Sequence, residues 1–282
     1  MDPSDSDFLG AGVRFLHAYF DQAAASYAEA IEPAFAPLAA GLIEFAGELA
    51  PGPVADLGSG TGLVSRAVRG QSVEIFALDI SRRMLIESRL AGLAAAVQGD
   101  LHRLPIHSEV VGLALASFAF NSTDPALSFA EVGRVIRPGG RLVLQEWGAP
   151  DDLGELVSDT LAAYAVDEPP PALRALREGN EQRVPWDDLE TIDDIARLVG
   201  AAGLAVDRLD VAPVEVRLPS LDAFLRYKLG WPSRRAEVEA MSDVVRRLML
   251  DDLHENLSPH LEADGGLLWR PEIIRLSSRK PA

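Results

Sequence analysis

The chain has 282 residues, 43 acidic against 26 basic, a formal net charge of -17 and no cysteine. A field of that sign repels phosphate and argues against nucleic acid and anionic membranes as partners, while the missing thiols exclude disulfides, thiolate nucleophiles and thiolate zinc sites. Only Lys228 and Lys280 are lysines, so a Schiff-base lysine or a phosphate-gripping loop lysine is not expected.

The opening MDPSDSDFLG is acidic and has neither a basic n-region nor an apolar h-region, so it does not read as a signal peptide. No charge-free apolar run approaches the ~18 residues of a membrane span, and a cytoplasmic protein is the default expectation. Residues 8–48 carry apolar side chains at helical spacing, among them Phe15, Leu16, Tyr19, Phe20, Leu38 and Leu42. They predict two helices, broken near Pro33 and Pro37.

From Val54 to Trp147 short apolar runs alternate with amphipathic segments. Strands are predicted over 54–57, 75–80, 94–97, 113–120 and 142–144. Helices are predicted over 63–69, over 82–90 with Ser81 as cap, and over 125–136 entered through Asp124. That alternation predicts parallel β-α-β units, and so a Rossmann-like open α/β sheet with helices on both faces. Residues 148–187, with Pro169, Pro170 and Pro171, read as a connection over the sheet edge. A helix over 188–202 ending at Gly203 and a strand over 205–211 follow. Residues 220–257 read as helical, and the last strand is expected at 272–277, antiparallel in an otherwise mostly parallel sheet.

The chemistry begins in VADLGSGTG, where Asp56, Gly58, Ser59, Gly60 and Gly62 occupy the turn after the first strand. Glycines remove the Cβ atoms there, so a ligand can lie against the backbone at the carboxyl end of a parallel strand. Asp79 ends the second strand, 19 residues beyond Gly60, an offset at which a carboxylate accepts hydrogen bonds from ribose hydroxyls. A nucleoside-containing ligand follows. Neither Gly58-x-Gly60-x-x-Leu63 nor Gly60-x-Gly62-x-x-Ser65 completes the dinucleotide fingerprint well, and no tyrosine is followed four residues later by lysine.

Five segments, VADLGSGTG, LDISRRML, QGDLHRLPI, EVGRVIRPGGRLVLQEW and LETIDDIARLVGAAGL, resemble in order the class I S-adenosylmethionine-dependent methyltransferases. They resemble in particular the small-molecule branch that includes quinone-biosynthesis enzymes. The resemblance implies S-adenosylmethionine as cofactor, with the backbone of Gly58 to Gly62, including Ser59 and Gly60, against its methionine part. It implies Asp56 near the amino group, Asp79 on the ribose, Ile80 and Met84 on adenine, and Asp100 with the Leu101 amide at the adenine edge. Ser117 and Phe118 would face the methionine amino group, and Tyr27 would close the pocket.

Relatives usually open the fourth strand with phenylalanine then aspartate, where this chain has Val111 and Gly112. They often show histidines after it, where this chain has Phe120, Asn121, Ser122 and Thr123. No inherited general base can therefore be named. The candidates are Glu146 at the end of the fifth strand, Asn121 as an orienting group, and His17 in the N-terminal helix. His102 and His107 do not read as a metal pair, and no metal is expected.

The resemblance implies one methyltransferase domain over 1–282. Its parts are a helical cover (1–50), a cofactor-binding core (51–212 and 269–282) and a helical insertion (213–268). Apolar residues of that insertion, from Phe224 to Leu253, would form a lid suited to a small hydrophobic or aromatic methyl acceptor. A homodimer stays open, as do a nicotinamide-dependent reductase and a protein that binds the cofactor without methylating.

Overall fold

A computed structural model describes residues 3–49, 52–68, 74–93 and 95–282, with side chains from residue 12 onward. Arg69 of the expected 63–69 helix and Ala94 of the expected 94–97 strand lie outside the described residues. The chain opens with α1 (Pro3–Ala30) and α2 (Glu32–Ala46). The break falls at Ile31 instead of at the prolines. Pro33 sits in the first turn of α2, where a missing N–H loses no partner, and Pro37 is carried inside the helix. Burial of Phe35, Leu38 and Leu42 offsets the hydrogen bond that Pro37 cannot make.

Strands β1 (Val54–Leu57), β2 (Ile75–Asp79), β3 (Ala96–Gln98), β4 (Val111–Ser117) and β5 (Ile136–Trp147) alternate with α3 (Leu63–Ala67), α4 (Arg82–Leu90) and α5 (Pro125–Val135). The caps lie where the sequence puts them: Ser81 Oγ accepts from the Met84 N–H, and Asp124 accepts from Ala126 and Leu127. β4 stops at Ser117, short of the expected Phe120, because Phe118 turns into the left-handed region at φ 56°. β5 begins earlier than expected. Its ladder with β4 shifts register between Val111 and Leu113, so residues 137–140 bulge out and the strand resumes at Arg141.

Residues 148–187 are not a plain connection. They form α6 (Asp152–Ala163), capped by Asp151, then α7 (Pro171–Glu181) and a 3-10 turn (Pro185–Asp188). The proline run misleads because its last member is the first residue of a helix, a place proline favours. Then come α8 (Ile192–Ala201), β6 (Ala205–Pro213), β7 (Val216–Leu218), α9 (Leu221–Leu229), α10 (Pro232–Ala240), α11 (Asp243–Leu257), β8 (Leu267–Trp269) and β9 (Glu272–Arg279). β7 and β8 pair antiparallel, a ladder too short to leave a pattern in the sequence.

The main sheet has the order β3-β2-β1-β4-β5-β9-β6, with β1 to β5 parallel and β9 antiparallel between β5 and β6. This is the α/β class expected. The chain reverses direction across the sheet between β1 and β4, which makes their carboxyl ends the switch point where ligands bind. One apolar cluster fills the layer between the sheet and α5 and α8, with Phe120, Phe129, Val132, Ile195 and Val199. A second joins α2, α6, α9 and α11 to the β7–β8 pair around Phe224 and Trp269. Within it Lys228 is buried, its Nζ 3.2 Å from Asp151 Oδ2 and 4.6 Å over the Trp269 ring. That ion pair ties α9 to the start of α6. Among the described residues no helix is long and apolar enough to cross a membrane.

Candidate active site

The turn after β1 holds its shape through positive φ at Gly58 (65°) and Gly60 (53°). A Cβ on Gly58 would lie 2.3 Å from that of Ala119, so only glycine lets the turns after β1 and β4 touch. At Gly60 a Cβ would meet nothing within 4 Å, which leaves a backbone face open to a ligand. The start of α2 braces this turn: Glu32 Oε1 accepts from the Thr61 hydroxyl and from Arg66 Nη2 at 2.7 Å.

Asp79, at the tip of β2, accepts the Gly60 N–H on Oδ2 and the Ser81 N–H on Oδ1, both at 2.8 Å. Burial pushes its ionisation up to about 6 against those two hydrogen bonds. Behind it Ser81 donates to Asp21 of α1 at 2.5 Å, so α1 is pinned across the start of α4 and roofs the cavity. Asp100 Oδ1 accepts from the backbone N–H of His102 and from its Nδ1, each at 2.9 Å. Burial alone would raise the Asp100 carboxyl; the His102 hydrogen bonds outweigh it and hold it below the usual range. His102 Nε2 accepts the Asp124 N–H at 2.9 Å, which leaves the proton on Nδ1 and both ring nitrogens engaged.

These groups surround a cavity of about 330 Å³ at the carboxyl ends of β1, β2 and β4. Of the expected residues, Tyr27, Gly58, Gly60, Asp79, Ile80, Met84, Asp100, Leu101, Ser117, Phe118 and Asn121 line it. Asp56, Ser59 and Gly62 do not. Asp56 is fully buried one layer below, its Oδ2 accepting from the Ser65 N–H and hydroxyl, and burial pushes it up to about 6. Ser59 is buried with its N–H on the Leu78 carbonyl, and Gly62 opens α3 against Leu93. They shape the turn from behind.

Two catalytic candidates, Glu146 and His17, do not line the cavity. Glu146 is fully buried and stands behind the turn after β4, where its Oε1 accepts the Phe120 N–H at 2.7 Å. Side chains alternate along a strand, and its neighbour Trp147 takes the position facing the cavity. Burial pushes Glu146 up to about 8, against hydrogen bonds from Phe120, Ala119 and Asn121. His17 is 43% exposed and lies 3.5 Å from Asp21 on α1, turned away from the cavity that Leu16 and Phe20 line.

An aromatic wall closes the end of the cavity beside Ser117 and Gly58 and could not be read from the sequence. Phe118 stacks on Trp147 with centroids 4.0 Å apart, and Phe35 meets Phe118 at 5.2 Å and Trp231 at 6.2 Å, both edge-on. Tyr27 joins it edge-on to Trp231 at 6.0 Å. Of the expected lid, Trp231 reaches the cavity, whereas Phe224, Met249 and Leu253 are core and Val244 and Leu248 face solvent. His102 and Asn180 also line the cavity and were not anticipated. The only sequence signal for His102 was its place two residues after Asp100.

The sheet order and this cavity define a Rossmann-like α/β protein with a nucleoside-sized site at its switch point. Residues 55–144 match the family described as "Methyltransferase domain". An uncharacterized methyltransferase of Mycobacterium tuberculosis is 29% identical over 179 residues, covering 60% of this chain and 70% of that protein. A demethylmenaquinone methyltransferase of Beutenbergia cavernae is 36% identical over 99 residues, 34% of this chain and 41% of that one. Among solved structures, a candidate methyltransferase from Bacillus halodurans superposes with TM-score 0.54 at 19% identity, over 86% of this chain and 99% of that chain. The chain is a class I S-adenosylmethionine-dependent methyltransferase, and S-adenosylmethionine is its cofactor. The nicotinamide-dependent reading is thereby set aside.

Proposed function

We propose that this enzyme methylates a small hydrophobic or aromatic molecule, and the observation that carries the reading is the aromatic wall of Phe118, Trp147, Phe35 and Trp231. Flat rings prefer edge-on and offset contacts with other rings, so such a wall selects a planar acceptor. The Beutenbergia cavernae relative is named for demethylmenaquinone, and an acceptor of that ring-bearing kind suits the wall.

The residues present fit the cofactor. Each Asp79 oxygen keeps a lone pair beyond its backbone N–H and would accept a ribose hydroxyl. Ile80 and Met84 would flank adenine, and Asp100 with the Leu101 amide would read its edge. Gly60 would let the methionine part lie on the backbone, with Tyr27 closing over it. When bound, S-adenosylmethionine supplies an electrophilic methyl group on a sulfonium.

The chain contributes position and dryness. No lining side chain is left as a ready base: Asp79 and Asp100 would be taken up by the cofactor, burial pushes Tyr19 and Tyr27 above their ordinary values, His102 has both nitrogens engaged, and Glu146 stands behind the turn. Alignment of reactants supplies roughly 7–11 kcal/mol, against roughly 3–5 kcal/mol for a base, so this arrangement suffices for an acceptor that is already nucleophilic. Tyr27 and Phe35 from residues 1–50 and Trp231 from 213–268 meet in one wall, which supports a single domain over 1–282, its cover and insertion completing the core's cavity.

The test is transfer of labelled methyl from S-adenosylmethionine to a panel of phenols, quinols and aryl amines. Labelled product is expected from at least one class. Tight S-adenosylhomocysteine binding with no transfer to any of them would overturn the acceptor assignment.

A further inference from the structure

A second chamber of about 220 Å³ adjoins the cofactor cavity. It lies between the first half of α1, the turn at 121–124 and the segment 179–187, and shares Leu16, Asn121, Ser122 and Asn180 with the larger cavity. The larger space is near the lower end of the ~300–1,000 Å³ range for one drug-sized ligand, so the nucleoside cofactor takes up most of it. The acceptor needs adjoining room, and this chamber is joined to the larger cavity through those shared residues.

Its chemistry is selective. Among the described residues neither space is lined by an arginine or a lysine, in a chain that has 26 basic side chains. A carboxylate or phosphate on the acceptor would lose water without gaining a cation, inside a protein of net charge -17. A cation is not penalised in the same way, because Asp124 and Asp187 line the chamber and each uses one carboxylate oxygen on backbone N–H groups and keeps the other without a hydrogen bond to described residues. Asn180 and Gln182 have side-chain amides with no hydrogen bond to other described residues. Phe15, Leu16 and Pro185 supply apolar faces beside them. Gly179 seats α7 on α1, since a Cβ there would lie 2.1 Å from the Phe15 ring.

We infer that the methyl acceptor is a small molecule without a carboxylate or phosphate that reaches into this adjoining chamber, with a hydroxyl or amide substituent on Asn180 and Gln182 beside the apolar faces of Phe15 and Leu16. The inference rests on the cofactor assignment above and deepens it. Binding of 4-hydroxybenzamide, 4-hydroxybenzoate and 4-hydroxybenzylamine to the full chain saturated with S-adenosylhomocysteine tests it by ligand-observed NMR.

The neutral amide is expected to bind, with the carboxylate at least about tenfold weaker than both the amide and the amine, as for an anion taken from water without a partner. Asn180→Leu and Gln182→Trp, at exposed positions without hydrogen bonds to other described residues, are expected to weaken the amide about tenfold and to leave the melting temperature unchanged, and Gln182→Trp, outside the lining of the cofactor cavity, to leave S-adenosylhomocysteine binding unchanged as well. Equal binding of the carboxylate, unchanged amide binding in both variants, or no binding of the amide would each overturn the inference. Failure of S-adenosylhomocysteine itself to bind would instead overturn the cofactor site, so the two failures are distinguishable.

Discussion

Glu146 Oε1 accepts the backbone N–H of Phe120 at 2.7 Å, from beneath the turn on which Phe118 is held at φ 56° and stacked on Trp147. A buried carboxyl group thus holds in place a backbone that bulky residues seldom adopt. This makes Glu146 a positioning residue for the aromatic wall.

Replacing it separates that role from general-base catalysis. Glu146→Gln keeps an acceptor for the Phe120 N–H and is expected to retain most of the methyl-transfer rate. Glu146→Leu leaves the N–H buried and unpaired and should destabilise the fold by about 1–3 kcal/mol, with a larger loss in kcat than in S-adenosylhomocysteine affinity. Loss of turnover in Glu146→Gln with an unchanged melting temperature would restore the general-base role.

Stability should fall as pH rises through the physiological range. Burial pushes Glu146 up to about 8 from 4.5, and Asp56 and Asp79 up to about 6 from 3.8. The folded chain therefore holds more protons than the unfolded one between those values. Each group's contribution is complete below its unfolded value and is lost as pH rises through its folded one, at up to roughly 1.4 kcal/mol per pH unit. Calorimetry from pH 5 to pH 8 should show a falling melting temperature in the wild type and a flatter line above pH 6 in Glu146→Gln.

Cofactor affinity should move the opposite way at low pH. Hydroxyl donors on Asp79 favour its charged form, so below about 6, where that carboxyl protonates, S-adenosylhomocysteine should bind up to about tenfold more weakly per pH unit. Asp79→Asn puts an amide donor against the N–H of Gly60 or Ser81 and should cost about 1–3 kcal/mol of affinity. Titration calorimetry at pH 5 and pH 7 checks both, and a pH-independent wild type would count against Asp79 as the ribose acceptor.

Tyr27 separates packing from ligand contact. Its ring packs on Trp231 and Phe35, while its hydroxyl has no hydrogen bond to other described residues. Tyr27→Phe should leave the melting temperature within the change of about 0.5 kcal/mol typical of neutral substitutions and weaken S-adenosylhomocysteine several-fold. Unchanged affinity would reduce Tyr27 to a wall residue.

The part of the cavity lined by Gly58, Gly60, Asp79 and Asp100 was legible because it is local. Asp79 sits 19 residues beyond Gly60 and hydrogen-bonds to it directly, as a strand, turn, helix and second strand in succession require. Glu146 was misplaced because the end of a strand can be read from pattern, but the face on which one side chain leaves it depends on the bulge at 137–140 and on which neighbour the cavity takes. α6 and α7 were missed because proline both breaks and begins helices, and only the chain around Pro171 tells which.

By itself the sequence determined the α/β class, the switch-point turn and the acidic residues Asp79 and Asp100 that line the cavity, since periodicity, glycine and strand-end carboxylates act over short stretches of chain. Only the tertiary structure decided that Phe35, Phe118, Trp147 and Trp231 form one wall, that Glu146 lies behind it, and that neither chamber is lined by arginine or lysine among the described residues. Those properties belong to residues far apart in the chain. Burial and charge in a cavity are set by what packing brings together, which no single segment encodes.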